Sequence, residues 1–214
     1  MESRLKTALD ETRLLILGAQ VLFGFQFQAC FQEDFAGLSS GMKALHGFGT
    51  GAMLLCIGLL VVPSMHHQLA YNGESRRAAL NIATHFAGLS LLPLILGLGA
   101  STYVTVEHLF GGRLAFAVTG FLMVAAFMLL YGLGWMLKTG RTSVPNETED
   151  TSLKIKIEQM LTEARVLIPG AQALLGFQFA VTLTRSFDDL PLAFQYLHLL
   201  GLCATALAAA ILMA

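Results

Sequence analysis

Residues 18–27 read GAQVLFGFQF, and residues 170–179 read GAQALLGFQF. Two glutamines at one spacing, set twice in apolar surroundings, raise the question of what solvent the chain folds in. Charged residues make up 13% of the 214, hydrophobic residues 55%, and the mean hydropathy is +0.66. That balance belongs to a polytopic membrane protein and not to a soluble domain. Stretches free of Asp, Glu, Lys and Arg run over 14–32, 44–73, 78–106, 114–137, 166–184 and 190–214. A helix of about 20 mainly apolar residues crosses the hydrocarbon layer, so each stretch predicts one span. The alternation that a membrane barrel needs is absent. The chain is therefore read as all-α, a polytopic membrane protein of six transmembrane helices. The first stretch resembles a signal peptide in position, but its glutamines, the lack of a small-residue cleavage site and its recurrence predict a retained helix.

Sliding the sequence by 152 residues aligns 11–49 with 163–201 without a gap, with 17 of those 39 positions identical. Duplication explains the doubled phrase. The implied organisation is a first four-helix repeat with an N-terminal interfacial helix over 1–137, a cytoplasmic linker over 138–156, and a partial second repeat of two helices over 157–214. An even number of helices per unit inserts both copies the same way up, as tandem parallel repeats. The second copy lacks counterparts of the third and fourth helices, so the encoded protein is expected to continue past Ala214. A cytoplasmic amino terminus puts ten basic residues inside, among them Arg76, Arg77, Lys138, Arg141, Lys154 and Lys156. It leaves Lys43, Arg113 and Arg185 outside. The positive-inside rule thus places both termini in the cytoplasm.

The polar residues within the spans are the candidate sites. Gln26 and His46 fall at similar depth on antiparallel neighbours, which predicts a hydrogen bond between them and another between Gln178 and His198. Gln20 with Gly24, and Gln172 with Gly176, share a helical face near mid-membrane, where a small residue beside an amide suits a close helix crossing. Glu11, Arg13, Glu163 and Arg165 are interfacial charges. They either meet across the two copies, Glu11 with Arg165 and Arg13 with Glu163, or stay solvated with the arginines on lipid phosphates. His46, His85 and His198 are the candidate ligands for haem iron or the magnesium of a chlorophyll, with a hydrogen-bonded core histidine as the default. No helix carries two histidines spaced for stacked haems, and no C-x-x-C-H occurs. Cys30, Cys56 and Cys203 read as small core residues, and neither a disulfide nor a metal site is expected from them. Hydrolase, metalloprotease and nucleotide motifs are missing, so no catalytic residue is assigned and an enzyme is not expected.

The string ETRLLILGAQVLFGFQF at 11–27, followed by Phe35, Leu38, His46 and the segment 63–67, resembles a bacterial family of integral-membrane proteins of unknown function. Its members look like four-helix units. The resemblance implies the architecture of residues 5–137 and part of 157–214, and carries no activity. With no charge inside the spans and loops too short for a domain, the function expected is that of a non-catalytic accessory or scaffold subunit of a larger photosynthetic or respiratory membrane complex. Its expected partners are other integral membrane proteins and lipids, with (bacterio)chlorophyll, carotenoid or haem as the cofactors to consider and no nucleic acid. The alternative is a transporter or channel for a neutral substrate, lined by Gln20, Gln172, Asn81 and His85 where Pro93 breaks the third helix.

Overall fold

The computed structural model describes residues 2–70, 76–132 and 167–213, with side chains described over 12–62, 82, 84–132 and 167–213. Every regular element among the described residues is helical. Helix α1 is Glu2–Ala29, and a 3-10 turn at Glu33–Gly37 leads to α2 (Ser40–Ala70). Then come α3 (Arg76–Phe110) and α4 (Gly112–Phe127), the latter extended by a π turn at Met128–Gly132. The remaining elements are α5 (Leu167–Val181), the single turn α6 (Arg185–Asp188) and α7 (Leu192–Met213). Four segments are long and apolar enough to cross a membrane: Ser40–Val62, Thr84–Phe110, Gly112–Gly132 and Leu192–Met213. The two helices bearing the repeated phrase fall below that standard. In α1 the glutamines dilute the apolar run, and the described part of α5 is only Leu167–Val181.

The third helix organises the rest. Two thirds of its span is buried, against a third or less for the other three. It packs on α1, α2 and α4, and its backbone approaches its neighbours closely because glycines stand at the crossings. A Cβ on Gly97 would lie 3.0 Å from the Gly49 carbonyl oxygen of α2, and one on Gly99 would lie 2.6 Å from Met123 Sδ of α4. Around these crossings Leu22, Met53, Cys56, Leu94, Phe179 and Leu202 form one buried cluster drawn from α1, α2, α3, α5 and α7. Without a hydrophobic drive between helices in lipid, such close approach and its dispersion contacts supply the cohesion.

Two boundaries differ from the sequence reading. The third helix does not break at Pro93; it runs through the proline as one element. Proline removes one backbone hydrogen bond, and the freed carbonyls of a membrane helix are commonly taken up by side chains of neighbours. The carbonyl that Pro93 leaves without its helical donor is that of Leu89; one residue before it, the Tyr131 hydroxyl of the π turn donates to the Gly88 carbonyl at 2.6 Å and ties α3 to the end of α4. The same helix also continues past residue 106 to Phe110, so Glu107 and His108 lie on it and not in a loop. The turn into α4 is then made by Gly111 alone, at φ 86°, where an L side chain would meet strain.

The first helix and α5 lie side by side and run in the same direction. Gly18 abuts the Gln172 amide, with which a Cβ at 18 would overlap, and a Cβ on Gly176 would sit 2.6 Å from Phe25 Cδ2. The rings of Phe25 and Phe177 meet edge to face at 6.4 Å.

Candidate functional site

An α-helix leaves its last four carbonyls without intrahelical partners, and a buried helix end must find substitutes. At the end of α1 these are the carbonyls of residues 26–29. The amide of Cys30 donates to Phe27 O at 3.2 Å, Phe31 to Gln28 O at 3.0 Å and Gln32 to Ala29 O at 3.1 Å. The fourth is taken by the neighbouring helix: His46 Nε2 lies 2.8 Å from Gln26 O. Since a carbonyl only accepts, Nε2 carries the proton and donates. The edge of Phe35 packs against the imidazole, with ring centroids 5.2 Å apart.

The end of α5 is closed in the same manner. His198 Nε2 donates to Gln178 O at 3.3 Å, and Phe187 packs edge-on against its ring at 4.8 Å. Thr182 Oγ1 donates to Phe179 O, Leu183 N to Ala180 O and Thr184 Oγ1 to Val181 O. Each histidine is thus a cap for the preceding helix. The expected pairs of Gln26 with His46 and Gln178 with His198 are brought together, but through the glutamine backbone and not its side chain. With Nε2 committed to a carbonyl in both, that nitrogen is not offered to an iron or magnesium.

The Gln26 amide turns instead to α3. Its Nε2 donates to Gly97 O at 3.1 Å and to Ser101 Oγ at 2.7 Å. Gln178 has no such bond among those described, and its Oε1 is buried without a partner. The mid-membrane residues also divide. Gln172 is 1% exposed and its Nε2 reaches Met213 Sδ at 3.4 Å. Gln20 and Gly24 are exposed, with nothing within 4 Å of a Cβ on Gly24. The structure thus places Gly176 at a close approach to Phe25 of α1 with Gln172 buried on the same helix, and places Gln20 and Gly24 on an open face of α1. The reason is geometric: the α1–α5 contact is not symmetric, so equivalent faces do not both point inward.

His85 is exposed, beside a shallow groove lined by Phe86, Gly88, Leu89, Leu92 and Tyr131. Arg13 is exposed. Glu11, Glu163, Arg165 and Asn81 lie outside the residues whose side chains are described, as does the linker over 138–156. Cys30 and Cys203 are half-buried and Cys56 is buried, all three as free thiols.

The loops joining α1 to α2 and α5 to α7 meet at one end of the bundle, which sequence reasoning did not foresee. Asp34 N donates to Leu183 O at 3.2 Å, and Arg185 faces Glu33 at 3.7 Å on the surface. Each loop is also tied back by the helix that follows it. Lys43 Nζ donates to Ala36 O at 2.7 Å, and Gln195 Nε2, 152 residues after Lys43, reaches Asp188 O at 3.3 Å and Leu190 O at 3.1 Å. The alignment already places Lys43 opposite Gln195 and Ala36 opposite Asp188; only the chemistry of the pair hides the equivalence.

Apolar helices of spanning length, packed through glycine crossings and buried amides, define the class of α-helical membrane proteins. Within it, the chain belongs to a family of unknown function, DUF6328, whose model matches residues 1–134 and 146–214. No curated protein and no solved structure matches the chain.

Proposed function

We propose that this protein is a non-catalytic scaffold subunit which packs against other integral membrane proteins in a larger complex of the bacterial inner membrane. The reading includes six spans, with α1 and α5 crossing alongside the four longer segments. It also takes the two copies as parallel repeats, supported by the 152-residue self-alignment, and both termini as cytoplasmic, supported by the distribution of basic residues. The observation that carries the proposal is the outer face of α2. Gly47, Gly51 and Gly58 are exposed there, with nothing within 4 Å of an added Cβ, and Phe48, Leu54 and Leu55 lie on the same stripe.

Glycine costs a helix interior about 1 kcal/mol relative to alanine, and on a lipid-facing surface it returns little hydrophobic contact. At a helix–helix contact the same residue admits a second backbone. The opposite face of α2 uses Gly49 in that way, against Gly97 and Ala100 of α3. A spare small-residue face on α2 thus favours a further helix over lipid tails. The residues that a transport path would need are dispersed: Gln20 and His85 are exposed on different helices, while Gln172 is buried. The cavity among α3, α4, α5 and α7 holds only about 40 Å³ and is lined by residues such as Leu98, Leu122 and Phe179. That is room for a water or two, not for a substrate.

The test is extraction of native membranes in mild detergent, followed by native electrophoresis. The expected result is co-migration with other membrane proteins, lost in the double variant Gly47→Leu with Gly51→Leu while the chain itself still folds. Migration of the wild-type chain alone as a single monodisperse species would sink the proposal.

A further inference from the structure

Where the loops meet, three ligating side chains from three separate elements converge. Asp34 stands in the 3-10 turn after α1, His108 in the last turn of α3, and Asp188 at the end of α6. One donor atom from each lies within 4.8 Å of the others. His108 Nε2 is 3.5 Å from Asp188 Oδ1. Both His108 Nε2 and Asp34 Oδ2 are shielded from solvent without a hydrogen-bond partner. We propose that Asp34, His108 and Asp188 bind a first-row divalent metal ion of the zinc class, clasping the two inter-helix loops to the end of α3.

The donor set selects the ion class. One imidazole with two carboxylates suits zinc and its neighbours, whereas magnesium and calcium take oxygen ligands almost exclusively. Donor atoms around zinc at about 2.0–2.2 Å stand roughly 3.4 Å apart, so the three close on an ion by side-chain movements on the order of 1 Å. The half-exposed side of Asp188 leaves a fourth position for water, the arrangement of three protein ligands and one open site. The end of α3 contributes as well, because the negative end of the helix dipole favours a cation beside its last turn. Of the basic groups at this end of the bundle, Arg185 faces Glu33 and Lys43 is bonded to Ala36 O. The backbone of the site is held by Asp34 N on Leu183 O and by Gln195 on Asp188 O, so the ligands are placed before an ion arrives. The inference does not depend on the scaffold reading.

The full chain, purified in detergent and stripped with chelator, is titrated with zinc chloride by calorimetry and followed by thermal unfolding. One equivalent should bind and raise the Tm, with magnesium chloride producing neither effect. His108→Gln and Asp188→Asn should each weaken binding at least tenfold. Asp188 is half-exposed, so its variant keeps the test open if the histidine variant does not fold. X-ray absorption at the zinc edge should show nitrogen and oxygen neighbours only. Absence of saturable zinc binding, undiminished affinity in both variants, or sulfur in the coordination shell would each overturn the proposal, leaving a plain imidazole–carboxylate ion pair at this position.

Discussion

His46 and Gln26 show how little a residue's identity says before its atoms are assigned. A buried carbonyl at a helix end costs about 1–3 kcal/mol when its partner is removed, and His46 supplies that partner to Gln26 O. His46→Leu is expected to destabilise the chain by about 1–2 kcal/mol, and Gln26→Leu by about 1 kcal/mol through loss of its bonds to α3. Gln20→Leu should leave stability within about 0.5 kcal/mol, because Gln20 is exposed. Unfolding in mixed detergent micelles measures all three, and a Gln20 variant as damaged as the Gln26 variant would contradict the assignment. The sequence made the pairing of 26 with 46 legible through depth and spacing. It did not reveal which atoms meet, because a glutamine offers two amide groups and only the helix terminus tells which is in want of a partner. Had the last four carbonyls of α1 been counted against the donors in 30–32, one would have remained for the histidine.

At the scale of elements, the spans are the legible part, since a charge-free run of 20 apolar residues has few other uses. Their ends are less so. Glu107 and His108 carry polar groups that suggest a loop, yet α3 holds them in its last turns and leaves the reversal to Gly111. A residue with a side chain pays roughly 1 kcal/mol or more for a positive φ of that kind. Gly111→Ala should therefore lower the unfolding free energy by about 1–2 kcal/mol, while Gly112→Ala, just inside α4 and exposed, should be neutral or slightly stabilising. Equal losses at both positions would show that the corner is not strained at 111. Pro93 misleads in the other direction: its sequence signal is a break, but α3 runs through it as one helix, packed on α1, α2 and α4.

For the whole molecule, sequence identity between the copies does not imply identical surroundings. The string GAQxLxGFQF occurs in both α1 and α5, yet α3 has no described counterpart beside α5. The two helices pack against each other asymmetrically, so that Gly18 lies under Gln172 while Gly170 is open, and Gly176 lies under Phe25 while Gly24 is open. The clustering of loop residues at the bundle end was hidden for a related reason: Asp34 aligns with Ser186 and His108 lies outside the aligned segment, so no comparison of the copies draws them together. The asymmetry makes opposite predictions at equivalent positions. Gly18→Leu and Gly176→Leu force a side chain into an occupied crossing and should each cost about 1–3 kcal/mol. Gly170→Leu and Gly24→Leu project into open space and should cost less than about 1 kcal/mol, or stabilise through higher helix propensity. Thermal unfolding of the four purified variants separates the cases. Matched losses at 18 and 170, and at 24 and 176, would mean that the copies face each other symmetrically, and the asymmetric contact described between α1 and α5 would have to be abandoned.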